Sequence, residues 1–482
     1  MNKQVRRVGL VLTMMFIALF ATATSIQVLR SSELYSDARN VRASYETYKT
    51  LRGAIIVGGV PIVTSVPVND EYRFLREYEN VIYNSVTGYF SIFAGSSGIE
   101  RSMNSYISGQ SSAQFFEQIN ALLDGTPVTG AAVELTLDPD AQRAAWDALG
   151  DRKGAVIAME PATGRILAMV SKPTFDANLL ASHQLSEVNE NYEKFINSPD
   201  KPLVNRAIAG DLYFPGSIFK LVVAAAALES GRYTVGSRFD NMTEYVLPGT
   251  TTAITNSGGK RCGTKSFVTL ETALTLSCNI PFAMMAVNLG QDRIRAQAEL
   301  MGFGQTFDIP LNVTASTYPE DLEESEVALT GFGQYDIRVT PMQMAMVTSA
   351  IANQGVLMKP QLIKSVVASN LNLLSQPEPI VFSSPISRTT AGFLTRMMVD
   401  SVEVGVATRA AIPGIAVAGK TGTAQNGPDD PYTLWFTGFA PAEAPSVVVT
   451  VVVEEGGGVG QSGTGNQIAA PIAKAVLEAI LR

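Results

Sequence analysis

Histidine is almost missing from this chain: one residue, His183, in 482. A zinc site built on several histidines is thereby excluded, and any Ser-His-Asp triad would depend on that one side chain. His183 stands in Leu179-Leu-Ala-Ser-His-Gln with no metal-ligand spacing around it and reads as structural. Charge is scarce too, at 17% of residues, and its balance is acidic, with 36 Lys and Arg against 44 Asp and Glu, a net charge of −8. With no basic patch and no phosphate-cradling motif, nucleic acid is not an expected partner. The glycine-rich run from Glu454 to Gly465 lacks the lysine and helix start of a nucleotide loop and reads as a flexible loop. The acidic run Glu320-Asp-Leu-Glu-Glu-Ser-Glu326 lacks the spacing of a calcium loop and reads as a solvated surface loop. No metal and no cofactor is expected, and no internal repeat is present. Apolar residues, by contrast, make up 46% of the chain, enough for large cores in two or three domains and too many for disorder.

The first thirty residues set the compartment. Lys3, Arg6 and Arg7 precede Val8 to Leu29, a stretch of 22 residues without a charge. That is long enough to cross a bilayer, and the positive flank keeps the N-terminus cytoplasmic while the rest is exported. Ala21-Thr-Ala23 offers a cleavage site for a signal peptide as the competing reading. The apolar run continues past it to Leu29, which favours an uncleaved single-pass anchor in the cell membrane with the bulk of the chain outside the cytoplasm. Export gives meaning to the two cysteines, Cys262 and Cys278. They stand 16 residues apart, and a bridge closing that loop would contribute about 3 kcal/mol in the chain-entropy picture; the alternative is two buried free thiols.

Three short motifs carry the chemistry. In Tyr213-Phe-Pro-Gly-Ser-Ile-Phe-Lys220 a serine and a lysine stand three residues apart, a spacing that turns both side chains to one helix face. A serine hydroxyl needs something to take its proton, and a lysine pressed among apolar residues such as Leu221 to Leu228 loses its own proton near neutral pH and serves as that base. Two other Ser-x-x-Lys copies, Ser198 to Lys201 and Ser257 to Lys260, sit among prolines and glycines and read as turns. Pro215-Gly216 reads as the turn that delivers Ser217 to a helix start, where N–H groups favour a developing oxyanion. The second motif, Ser277-Cys-Asn279, lies in Val268 to Leu289, a buried helix or helix pair interrupted near Pro281. The third, Lys420-Thr-Gly-Thr423, follows Ile415 to Gly419 and precedes Thr433 to Ala440 and Ser446 to Val453, which read as antiparallel strands. Gly422 lets a substrate backbone lie close to that strand.

Together and in this order, Ser217/Lys220, Ser277/Asn279 and Lys420-Thr421-Gly422-Thr423 resemble the motif set of the serine penicilloyl transferases. The resemblance continues through Gly154 to Val170, Phe175-Asp-Ala-Asn178, Gly333-Gln334, Val339 to Gln343 and Ala350 to Asn353. Upstream, Arg52-Gly53-Ala-Ile55, Val86 to Tyr89 and Gly98-Ile-Glu100 are similar to the N-terminal module of class B penicillin-binding proteins. Nearly the whole chain is covered. The resemblance implies a peptidoglycan D,D-transpeptidase of cell wall synthesis and cell division. Ser217 would be nucleophile, Lys220 base and Ser277 proton relay, with the Ser217 and Thr423 N–H groups as oxyanion hole. Asn279 would hold the substrate amide, and Lys420, Thr421 and Thr423 its carboxylate. Its partners would be peptidoglycan stem peptides, β-lactam antibiotics, the membrane and divisome or other cell wall synthesis proteins. A D,D-carboxypeptidase and a membrane β-lactam sensor are the alternatives. A class A β-lactamase is disfavoured, because no Glu-x-x-Leu-Asn run lies between Ser217 and Lys420.

The strands at 154–170 and 415–453 flank a helical middle, so the expected fold is an α/β (α+β) sandwich, an antiparallel sheet flanked by helices. The expected organisation is 1–30 as cytoplasmic tail and transmembrane anchor, 31–130 as an N-terminal stalk or association module, and 131–482 as the transpeptidase domain. Gly125 to Gly130 reads as the junction.

Overall fold

Val447–Val453 reads Val-Val-Val-Thr-Val-Val-Val, and all seven residues are buried. Such a β-branched run, with no alternation, belongs at the centre of a sheet covered on both faces. The computed structural model, which describes residues 3–30, 50–125, 128–307 and 309–482, places it there. The sheet has five strands in the order Ala418–Ala424, Thr433–Ala440, Val447–Val453, Gly154–Met159, Ile166–Lys172, each antiparallel to its neighbour. Helices Pro139–Leu149 and Ala469–Ile480 share one core with one face. Pro341–Ala352, buried along its whole length, packs against the other face and leads into the helical half of the molecule. Capping fixes where these helices begin: Asp138 accepts from the Ala141 N–H at 2.8 Å and Thr340 from the Gln343 N–H at 3.1 Å. An antiparallel sheet flanked by helices is the fold the sequence led us to expect.

A second sheet joins distant parts of the chain. Its six strands run Leu373–Ser375, Ile363–Val367, Ala132–Leu135, Ile55–Val57, Val60–Pro67, Phe74–Tyr78. Ala132–Leu135 is parallel to Ile55–Val57 and antiparallel to Ile363–Val367, so the boundary drawn at 130 runs inside one sheet. At its far edge Asn178 clamps the backbone of Tyr78, accepting from its N–H at 2.9 Å and donating to its carbonyl at 3.0 Å. Beneath this sheet Glu100 is fully buried between Arg52 and Arg76, 2.6 Å from each, and Arg52 lies 3.7 Å over the Phe90 ring.

Two local expectations are corrected. The acidic run at 320–326 is not only surface loop: Glu323 and Glu326 form a reciprocal capping box that starts helix Glu324–Thr330. Carboxylates at a helix N-terminus are favoured by the orphan N–H groups there. The interruption expected near Pro281 falls instead at Ser277, between helices Leu270–Thr275 and Asn279–Leu289. Ser277 takes φ +58°, whereas Pro281 sits in the first turn of the second helix, where a missing N–H costs nothing.

At the N-terminus, Lys3–Gln27 forms a helix with a mean hydropathy of 2.0, long and apolar enough to cross a membrane. A single-pass anchor and a signal sequence both meet that description.

Candidate active site

Ser217 lies in a 3₁₀ turn, Gly216–Phe219, that runs directly into helix Lys220–Glu229. The sequence suggested an α-helix opening at the serine. The tighter turn brings residues i and i+3 closer to eclipse, so it aims Ser217 and Lys220 at each other more directly. Lys220 Nζ is 3.1 Å from Ser217 Oγ. The same nitrogen donates to the Ser277 carbonyl at 2.7 Å and the Asn279 Oδ1 at 2.8 Å, and lies 3.4 Å from Ser277 Oγ.

Lys420 approaches from the sheet. It stands on Ala418–Ala424, an edge strand of the five, and its Nζ is 2.7 Å from Ser277 Oγ and 2.8 Å from the Thr421 carbonyl. Ser277 Oγ therefore bridges the two lysine nitrogens. Both lysines are wholly buried, and among the described residues neither is paired with a carboxylate. Burial first, and the nearby Lys420 second, hold Lys220 well below the ordinary lysine value. Burial pushes Lys420 down to about 7.

Gly422 and Gly216 explain how strand and turn meet. A Cβ at Gly422 would fall 3.1 Å from the Pro215 carbonyl oxygen and 3.3 Å from Ile218 Cγ2. Gly216, at φ +54°, lies where a Cβ would be 3.1 Å from the Thr423 carbonyl oxygen. The Ser217 turn thus sits against the Gly422-Thr423 stretch, with the Gly216 N–H bonded to the Gly333 carbonyl at 2.9 Å and the Trp435 indole to the Phe214 carbonyl at 3.0 Å. Thr421 is almost fully buried and reaches the Val406 carbonyl at 3.4 Å. Thr423 Oγ1 accepts from the Gly465 N–H at 3.4 Å.

The disulfide partners sit next to this cluster. Cys262 and Cys278 are joined, with their Cα atoms 5.8 Å apart. The residue the sequence reading missed is Asn256. Its buried Oδ1 accepts from the N–H groups of Asn279 and Ile280, at 2.9 and 3.0 Å, capping from outside a helix whose own N-cap, Cys278, has no side-chain oxygen. Next to it, the Thr255 carbonyl accepts from Asn279 Nδ2 at 3.0 Å. No local signal marks Asn256, since its partner helix lies 23 residues on. Of the two other Ser-x-x-Lys copies, the first has its Lys201 paired with Asp211, and the second, Ser257 to Lys260, directly follows Asn256. His183 stands apart, 2.5 Å from Asp70 and against the Tyr72 ring. Among the described residues no group of three or more His, Cys, Asp or Glu is arranged to hold a metal.

A serine against a buried lysine of lowered proton affinity, facing a Lys-Thr-Gly-Thr edge strand, has the arrangement of an acyl-transfer site. Residues 154–478 match the penicillin binding protein transpeptidase domain, and residues 52–133 match the penicillin binding protein A dimerisation domain. The chain belongs to the penicillin-binding protein transpeptidase family. Within it, the chain is 37% identical to the peptidoglycan D,D-transpeptidase PbpA of Mycolicibacterium smegmatis over 100% of its length and 99% of that protein's. Its structure is similar to that of penicillin-binding protein A from M. tuberculosis in a ceftriaxone acyl-enzyme complex, with 36% identity, TM-score 0.88, and coverage of 91% of this chain and 100% of that one. The penicillin G acyl-enzyme of the same mycobacterial protein gives TM-score 0.85 at 36% identity, covering 90% and 100% of the two chains.

Proposed function

We propose that this chain is a peptidoglycan D,D-transpeptidase that joins stem peptides through an acyl-Ser217 intermediate and is acylated at the same atom by β-lactams. The observation that carries the reading is the 3.1 Å contact between Ser217 Oγ and Lys220, a buried lysine with its proton affinity lowered and no carboxylate to restore it.

Neutral Lys220 takes the Ser217 proton as Oγ attacks the carbonyl of the penultimate D-alanine. The N–H groups of Ser217 and Thr423 receive the oxyanion. The C–N bond to the terminal D-alanine then breaks, and the proton passes from Lys220 through Ser277 to the leaving amine, a route supported by the 3.4 Å approach of Lys220 Nζ to Ser277 Oγ. Asn279 holds the donor's amide, while Lys420, Thr421 and Thr423 hold its terminal carboxylate. An amine of a neighbouring stem attacks the acyl ester, forms the cross-link and frees Ser217. A β-lactam presents the same carbonyl and carboxylate, and its opened ring stays on the serine.

The N-terminal helix is assigned as a single-pass anchor in the cell membrane, with residues 31–130 as an association module and the domain from 131 onward outside the cytoplasm. That arrangement suits work at the division site beside divisome or other cell wall synthesis proteins. The test is mass spectrometry of products formed from a stem-peptide donor with and without an amine acceptor. Cross-linked product is expected with the acceptor; hydrolysed donor alone under both conditions would favour a carboxypeptidase and overturn the proposal.

A further inference from the structure

Tyr213 lies four residues before Ser217 and is held from three sides. Its backbone pairs with Val339, N–H to carbonyl at 3.0 Å and the reverse at 2.9 Å. Its ring stands edge-on to Trp435, centroids 5.7 Å apart. Its hydroxyl donates to Glu454 Oε1 at 2.6 Å. The same carboxylate oxygen accepts from Arg206 Nε at 3.0 Å, and Lys153 Nζ lies 3.4 Å from the other oxygen. Arg206 is 4% exposed and is itself fixed, its guanidinium donating to the carbonyls of Asp200 and Lys201 and its N–H to Ser171 Oγ, on strand Ile166–Lys172, at 2.9 Å. Glu454 directly follows strand Val447–Val453. The hydroxyl of Tyr213 thus ties the segment carrying the nucleophile to two strands of the sheet, through a charge-assisted bond of the stronger kind.

We propose that Tyr213, acting through Glu454 and Arg206, is a positioning residue that fixes the Ser217 turn so that Oγ stays in line with Lys220. Between Tyr213 and Ser217, the Gly216 N–H and the Phe214 carbonyl tie the backbone to neighbouring segments. Without the hydroxyl, the turn is left to those bonds, to the Tyr213–Val339 backbone pair and to ring packing. None of the three side chains touches the reacting atoms. A small displacement of a nucleophile costs rate far more than it costs binding.

The inference rests on Ser217 being the acylated residue, so the experiment carries a control for that. Acylation of the full chain in detergent by a fluorescent penicillin is followed under single-turnover conditions, which separates the dissociation constant of the first complex from the acylation rate constant. Rates are normalised to the fraction of protein that labels at long times. Tyr213→Phe and Glu454→Ala should each slow acylation about tenfold with a dissociation constant within about twofold of the parent's. The double variant should be no slower than the slower single one, because both changes break one connection. Glu454→Gln, which keeps an acceptor for Tyr213, should lose less than Glu454→Ala. An unchanged rate constant in Tyr213→Phe, a loss confined to the dissociation constant, or losses that multiply in the double variant would each overturn the proposal. If Ser217→Ala still labels, the reading of the site fails and the inference with it; if labelling needs Ser217 and Tyr213→Phe is normal, the inference alone fails.

Discussion

Two places among the described residues bury a pair of basic side chains, and burial acts on them in different ways. Beneath the six-stranded sheet, Arg52 and Arg76 flank Glu100, which lies 2.6 Å from each. Burial alone would raise the Glu100 carboxyl, but Arg76 and Arg52 outweigh it and hold it below its ordinary value. Burial pulls Arg52 down while Glu100 pulls it back, and an arginine keeps its charge in any case. At the Ser217 site Lys220 and Lys420 are as deeply buried, share the hydroxyl of Ser277 and, among the described residues, have no carboxylate paired with them. Their proton affinities are what falls. The difference teaches that burial becomes structure where a carboxylate accompanies the cation and becomes basicity where none does, with lysine chosen for the second task because it is able to deprotonate.

The largest effect that sharpens this contrast is on rate. Lys220→Ala should slow acylation by about 10²- to 10⁴-fold, the scale of a lost general base, measured with a fluorescent penicillin. It should lower the melting temperature less than Glu100→Gln does, since no paired charge is stranded. Glu100→Gln strands two buried guanidinium groups and should cost about 3–5 kcal/mol of unfolding free energy in urea at pH 7, with residual folded protein still acylated. The sign with pH follows from the depressed carboxyl: the stability it contributes is present above the ordinary carboxylate range and is lost as pH falls through the folded-state value. The gap between parent and Glu100→Gln should therefore narrow in acid; a constant gap would break the comparison.

Next in size is the frame around the lysines. Cys262→Ser should remove about 2–4 kcal/mol of stability and slow acylation modestly, because Cys278 stands between Ser277 and Asn279. Non-reducing peptide mapping of exported protein should give one linked species, and two free thiols would count against it. The smallest effect concerns Lys420, lowered to about 7. A donor carboxylate needs the ammonium form, so binding takes up a proton above that value, and the first-complex dissociation constant should rise by up to about tenfold per pH unit beyond it. A flat profile from pH 7 to 9 would mean that Lys420 keeps its proton at rest.

Much of this was legible in the sequence, and the misses share one cause. Ser-x-x-Lys before an apolar run, Lys-Thr-Gly before two strands, and a valine-rich run are local patterns, and the elements that carry them lie where the patterns put them. Asn256 caps a helix 23 residues away, Tyr213 reaches Glu454 across 241 positions, and Ala132–Leu135 finds one of its partners beyond residue 360. None of these leaves a local trace. The break at Ser277 was misplaced to Pro281 because proline is a visible breaker, whereas a serine at positive φ is dictated by packing.

The shared sheet bears on how the polypeptide reaches its folded state. Ile55–Val57 needs Ala132–Leu135 alongside it, and Ala132–Leu135 exposes a row of unpaired amides until Ile363–Val367 arrives more than two hundred residues later. A chain delivered N-terminus first would carry an open strand edge through most of its emergence, and closing that edge means bringing together segments of very high sequence separation, the slowest kind of assembly step. If exported as proposed, this protein would be most vulnerable to adhesion and proteolysis before its second half is across, long before Lys420 and Ser217 have met.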